Sequence, residues 1–129
     1  MTGAHILVVD DDPDMQDVMV LALEAGDYQV GRASNGQEAL ERVEEGVPDL
    51  ILLDMRMPVM DGWTFSAELR RRYGHEVPVV VCTAAEDAKR RAREVGAVGC
   101  LSKPFELDEL LHLVESVLPR RWERAGQHP

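Results

Sequence analysis

Five side chains in this sequence have the chemistry to bind and accept a phosphoryl group, and each lies where an apolar run ends. Asp10 and Asp11 follow the run in HILVVD, residues 5–10. Asp54 closes Leu50–Leu53 within DLILLDMRMPVMDG, from Asp49 to Gly62. Thr83 closes VVVCT, and Lys103 follows a short run at Gly99–Ser102. If three carboxylates meet, each pair about 4 Å apart costs roughly 4 kcal/mol at an effective dielectric of 20. One lysine does not offset that repulsion. A hard divalent cation does, and magnesium favours one or two carboxylates with waters and a phosphate oxygen. An ionised carboxylate such as Asp54 can act as a nucleophile and form an acyl phosphate without a general base. Magnesium and a lysine then neutralise charge on the phosphoryl oxygens, and the Thr83 hydroxyl can bond one of them. No histidine falls near this end of the strands to act as a base. Each residue also has a plain structural account: Asp54 or either early aspartate can cap a turn, Thr83 with Glu86 can form a capping box, and Lys103 can be a surface lysine. Five such coincidences at successive strand ends are harder to accept than one site.

The elements that would position these groups follow from apolar patterning. Leu50–Leu53 is continuous and reads as a strand covered on both faces. Asp12 before Pro13 marks a helix start, leaving Asp10 and Asp11 free of capping duty. That helix carries Met15, Val18, Met19, Leu21, Ala22 and Ala25 as its expected inward stripe and stops at Gly26. Residues 28–33 form a weaker strand. Asn35 with Glu38 opens a second helix that ends near Gly46. A third helix runs from Asp61 or Gly62 to about Tyr73, with Phe65 and Leu69 inward and Arg70, Arg71 and Arg72 at its end, suiting the helix dipole. Pro78 precedes the fourth strand. A charged helix follows at 85–95 with Ala85, Ala88, Ala92 and Val95 inward, then a strand at 99–102. The last helix, 106–117, buries Leu107, Leu110, Leu111, Val114 and Val117. Strands and helices alternate five times, which implies a parallel α/β sheet with helices on both faces. In such sheets every strand end reaches one edge, where ligands bind.

Composition sets the class. A chain of 129 residues, 45% hydrophobic and 29% charged, is one globular domain with a single core. A net charge of -10 argues against nucleic-acid binding by this segment and is compatible with a cation site or a basic partner. Cys82 and Cys100 adjoin apolar segments without metal-ligand spacing, as buried thiols in a reducing cytoplasm do. Ile6–Val9 is too short for a signal peptide, and no stretch approaches a membrane span.

Four motifs together resemble the receiver domain of two-component response regulators: ILVVDD at Ile6–Asp11, DLILLDMRMPVMDG, VVVCTA ending at Ala84, and GAVGCLSKPF from Gly96 to Phe105. The resemblance spans about residues 4–118, so 1–118 is expected to be the receiver domain and 119–129 a short tail or linker start. It implies a flavodoxin-like (βα)5 sandwich with parallel strand order 2-1-3-4-5. It implies Asp54 as phosphoacceptor, and Mg2+ held by Asp11, Asp54 and the Arg56 carbonyl, with Asp10 acting through water. It implies that Lys103 pairs with the phosphoryl group, that Thr83, with Ala84 beside it, follows on activation, and that Lys103–Pro104 is cis. The side chains at Arg56 and Ala85 are expected to modulate how water reaches the acyl phosphate. One position departs from the family: an aromatic residue usually stands three before the lysine, and here it is Cys100, which has no ring to rotate inward when the threonine moves.

The implied donor is a phosphohistidine on a sensor kinase or phosphotransfer protein. The implied output surface is helix 85–95, strand 99–102 and helix 106–117, with Lys89, Arg90, Arg91 and Arg93 on it as docking groups or a solvated face. Two other readings remain at this stage. A magnesium-dependent phosphatase with an aspartyl nucleophile would use acids two apart, as Asp10 and Asp12 are, but the residues expected after them and an acid/base helper are absent. A receiver that binds a partner without phosphorylation conflicts with the complete acid, threonine and lysine set. The chain reads equally as a stand-alone receiver or as a segment of a longer regulator, with Pro119, Arg120, Arg121 and Trp122 in the tail.

Overall fold

The computed structural model describes residues 3–84 and 86–118. Five strands, β1 (His5–Val9), β2 (Gln29–Ala33), β3 (Leu50–Leu53), β4 (Val79–Ala84) and β5 (Gly99–Lys103), form one parallel sheet in order β2-β1-β3-β4-β5. The helices are α1 (Pro13–Ala25), α2 (Gly36–Glu45), α3 (Gly62–Tyr73), α4 (Ala88–Val95) and α5 (Leu107–Val117). This is the expected architecture and strand order. Ala85 and the tail from Pro119 lie outside the described residues.

The sheet separates two cores. On one face Ala39, Leu40 and Val43 of α2, Phe65 and Leu69 of α3, and Ala92 and Val95 of α4 cover Leu7, Val9, Ile51, Leu53 and Val81. On the other, Met19 and Leu23 of α1 and Leu110 and Val114 of α5 cover Ile6, Val8, Leu50, Leu52, Val80 and Cys82. All four β3 residues are buried, as a central strand needs. Strand alternation sends the two thiols apart: Cys82 joins the α1/α5 core, while Cys100, opposite Val81, packs against the other. Both cysteines are free.

Capping sets several boundaries. Asp12 accepts from the Asp14 and Met15 amides at 3.0 and 3.5 Å. Asn35 accepts from the Glu38 amide at 2.8 Å, and Asp61 from Thr64 at 2.9 Å. Glu106 is the N-cap of α5 in a capping box with Glu109, so that helix starts one residue later than the pattern suggested. The helix expected from 85 starts at Ala88, because residues 86 and 87 form a turn; Asp87 caps it with no side-chain bond, so the Thr83–Glu86 capping box does not form.

Four inward assignments fail. Val18 and Leu21 are exposed (45% and 70%), and so is Ala25, because the buried face of α1 runs through Gln16, Met19, Val20 and Leu23, about half a turn from Val18 and Leu21. Leu107, in the first turn of α5, is also exposed. No helix among the described residues is long and apolar enough to cross a membrane.

The β3–α3 loop contains a strained residue. Val59 has φ +70°, the left-handed region, and its side chain is 82% exposed. A β-branched residue is disfavoured there by about 1–2 kcal/mol, and almost no burial offsets the cost. Val59→Gly is expected to raise stability by about 1 kcal/mol after allowing for the freer unfolded chain. A denaturant midpoint equal to or below the parent's would refute this.

Candidate functional site

The carboxyl edge of the sheet is built by register. Val9 pairs with Leu53, so the next residues, Asp10 and Asp54, leave the sheet side by side. Backbone bonds carry the ladder one step further: Asp10 N donates to Ala33 O at 3.0 Å, and Asp54 N to Val9 O at 2.9 Å. On the other side of β3, Thr83 pairs with Ser102 and Ala84 with Lys103. Carboxylate oxygens of Asp10, Asp11 and Asp54 all lie within 4.8 Å of one another. Asp10, Asp54 and Thr83 are buried; Asp11, Arg56 and Ala84 are exposed, and Cys100 and Lys103 are half-buried.

Lys103 ties the edge together. Its ammonium lies 2.7 Å from Asp10 Oδ2 and 3.7 Å from Asp54 Oδ2. The Lys103–Pro104 peptide bond is cis. Burial opposes the charge on Lys103, yet the Asp10 hydrogen bond and the Asp54 charge hold its pKa above the ordinary lysine value. Asp54 behaves oppositely. Burial pushes its pKa up to about 6, Lys103 pulls it down, and Asp10 adds to the rise. Its Oδ1 accepts a weak bond from the Arg56 amide at 3.4 Å. Cys82, on the neighbouring strand β4, is pushed up to about 12, chiefly by burial, and stays a neutral thiol.

Asp10 does have a capping duty, contrary to expectation: its Oδ1 accepts from the Asp12 amide at 3.0 Å. One side chain that orders this edge was not singled out from sequence. Gln16, buried on α1, donates to the carbonyls of Asp10 at 2.5 Å and Ala33 at 3.1 Å and reaches Ser34 Oγ at 3.2 Å. It thereby fixes both strand ends that flank the first aspartate. A lone polar residue on an otherwise apolar stripe was the only available signal.

The donor set suits a hard cation. Three clustered carboxylates are negative beyond what one lysine offsets, and all available ligands are oxygens. The same geometry leaves Asp54 beside two further carboxylates and an ammonium, with a threonine on the neighbouring strand.

Comparison with known proteins agrees with this arrangement. The response regulator receiver domain family matches residues 6–115. The transcriptional regulatory protein PrrA of Mycobacterium tuberculosis is 39% identical over 127 residues, covering 97% of this chain and 54% of the relative. The phosphate regulon transcriptional regulatory protein PhoB of Pseudomonas aeruginosa is 36% identical over 132 residues, covering 100% of this chain and 58% of the relative. The chain thus spans about half the length of the curated relatives it matches. Among solved structures, the chemotaxis protein CheY4 of Vibrio cholerae superposes with a TM-score of 0.80 at 33% identity, over 89% of this chain and 98% of that one. A response regulator from Chloroflexus aurantiacus gives a TM-score of 0.83 at 33% identity, over 90% of this chain and 98% of the other. With its sheet order, its acidic strand ends and a family match over most of its length, this chain belongs to the receiver domains of two-component response regulators.

Proposed function

We propose that Asp54 accepts the phosphoryl group and that Asp10, Asp11, Thr83 and Lys103 serve that transfer. The single observation that carries this is the position of Asp54: a buried carboxylate 3.7 Å from the Lys103 ammonium and within 4.8 Å of two further acids. Asp11, Asp54 and the Arg56 carbonyl would hold Mg2+, with Asp10 acting through water. Bound there, the cation would supply positive charge for the phosphoryl oxygens. An Asp54 oxygen attacks phosphorus on a phosphohistidine; the O–P bond forms as the P–N bond breaks, and the imidazole nitrogen leaves with the electron pair. Lys103 neutralises charge on the transferred group, and Thr83 donates a hydroxyl to it. The carboxylate is ionised above pH 6, so no base need activate it.

The domain then acts as a switch rather than an enzyme with a small-molecule substrate. A sensor kinase or histidine phosphotransfer protein in the cytoplasm would be the donor. Helix α4, strand β5 and helix α5 would present the state of Asp54 to a downstream partner or to an output domain of the same polypeptide. Residues 1–118 would be the receiver and 119–129 the tail or linker start. Cys100 removes the usual aromatic partner of the threonine, so Thr83 and Ala84 would pass the signal through the β4–α4 connection.

Incubation with Mg2+ and a small acyl phosphate should add one phosphoryl mass to the parent and none to Asp54→Asn. Uptake that survives in Asp54→Asn would place the acceptor elsewhere, and steady turnover of phosphomonoesters would favour the phosphatase reading. Arg56 is exposed two residues beyond Asp54, and its side chain would control how water reaches the acyl phosphate. Arg56→Ala is expected to change the acyl-phosphate half-life several-fold, read by the decay of the labelled protein; equal half-lives refute that role.

A further inference from the structure

Helix α4 is the helix that the core grips least. It buries only Ala88, Ala92 and Val95, while α3 buries Phe65 and Leu69 and α5 buries Leu110 and Val114. Two alanines and a valine remove little apolar surface from water, so polar contacts supplement the packing of α4 on β4 and β5. They come from α3. Trp63 Nε1 donates to Glu94 Oε1 at 2.8 Å, and the Arg91 guanidinium carbon lies 4.9 Å from the Trp63 ring centroid. Arg91 also bonds Glu94 at 3.2 Å, which closes the group into a triangle. Arg70 donates to the Val95 carbonyl at the far end of α4.

The first turn of α3, which carries Trp63, rests on the phosphoacceptor strand end. Gly62 N donates to Met55 O at 2.9 Å. A Cβ added at Gly62 would lie 2.8 Å from Met55 Cα and 3.1 Å from the Asp54 carbonyl oxygen, so this contact has no slack. A group added to Asp54 brings bulk and charge to a backbone that α3 already touches. A small displacement of the first turn of α3 would carry Trp63 away from Glu94. Cys100 cannot supply a rotating ring, and this route does not need one.

We propose that Trp63 is a positioning residue that locks α4 in place while Asp54 is free, and that loading Asp54 opens the Trp63–Glu94 lock. The inference rests on the reading of Asp54 as phosphoacceptor. Its energetic consequence follows from linkage. A contact made in the free state and lost in the loaded state lowers the affinity of the site for a phosphoryl group, so removing the contact raises that affinity.

The experiment uses Mg2+ with beryllofluoride as the phosphoryl probe. In a Trp122→Phe background Trp63 is the sole tryptophan. Its emission should change on loading and stay constant in Asp54→Asn. Calorimetry should show that Trp63→Phe and Glu94→Ala each bind the probe roughly fivefold more tightly than the parent, and that the double variant gains nothing further. Trp63→Phe keeps a ring beneath Arg91 and lacks only the N–H donor. Glu94→Gln keeps an acceptor and should remain within about twofold of the parent. A merely structural contact would lower the melting temperature of these variants and leave the affinity unmoved, which would overturn the lock. Failure of the parent itself to bind the probe would overturn the Asp54 reading together with the lock, whereas parent binding with unchanged variant affinities overturns the lock alone.

Discussion

Replacing Asp54 by asparagine is expected to stabilise the metal-free protein at pH 8 by about 3 kcal/mol relative to its effect at pH 3.5. The cause is the buried carboxyl, whose pKa rises from 3.8 to about 6 on folding, chiefly through desolvation. Each tenfold change in proton affinity is about 1.4 kcal/mol, so that rise amounts to about 3 kcal/mol. The sign follows from proton binding. The folded state holds the proton more tightly, so the stability this group confers is complete below about pH 4 and is lost as pH rises through 6. Asparagine has no proton to lose and is free of that penalty. The measurement is the difference between the two proteins in chelator, by denaturant midpoint at each pH, because the subtraction cancels the other titrating groups. A difference that stays flat with pH would mean that the carboxylate cluster is not strained. Magnesium should raise the stability of the parent at pH 8 far more than that of Asp54→Asn, since the cation relieves the same repulsion.

Lys103→Met is expected to slow phosphoryl uptake at Asp54 by about 10²- to 10³-fold, the usual cost of removing one preorganised donor from a charge-developing centre. It is also expected to destabilise the metal-free protein. The ammonium is 2.7 Å from Asp10, whose side chain is only 3% exposed, and methionine would leave that carboxylate buried without its cation. Losing one partner of a buried pair costs about 3–5 kcal/mol; a figure near 3 is expected here because the lysine side chain is 24% exposed. Saturating Mg2+ should recover part of the stability and little of the rate, because the cation offsets charge on the acids but does not occupy the position of the ammonium. Arginine should not rescue the rate, since its planar fork cannot replace a compact ammonium between two carboxylates. Mass spectrometry of phosphoryl uptake over time and denaturant titration with and without Mg2+ read both outcomes. Uptake within threefold of the parent would remove Lys103 from the proposed chemistry.

Much of this was legible in the sequence because the relevant signals are local. An unbroken apolar run such as Leu50–Leu53 announces a strand covered on both faces whatever surrounds it. Asp12 before Pro13 and Asn35 before Glu38 mark helix starts by bonds made within a single turn. Five strand–helix alternations leave a parallel sheet as the economical arrangement, and a parallel sheet brings Asp10, Asp11, Asp54, Thr83 and Lys103 to one edge. What failed was also instructive. Val18 and Leu21 are apolar, yet α1 turns them outward because the sheet covers a different arc of the helix. Hydrophobicity identifies residues able to be buried, while the arc that meets the sheet is settled by how the whole helix docks.

By itself, then, the sequence determined the order of elements, the chemistry available at each strand end and the family, since these depend on residue type and short-range spacing. Tertiary structure alone decided which charges meet. Lys103 bonds Asp10 from 93 positions away, Gln16 ties β1 to β2, and Trp63 reaches Glu94 across 31 positions. No local rule links such residues; distance in space sets Coulomb energy and hydrogen bonding, and distance in space is fixed only once the sheet register and helix docking are complete.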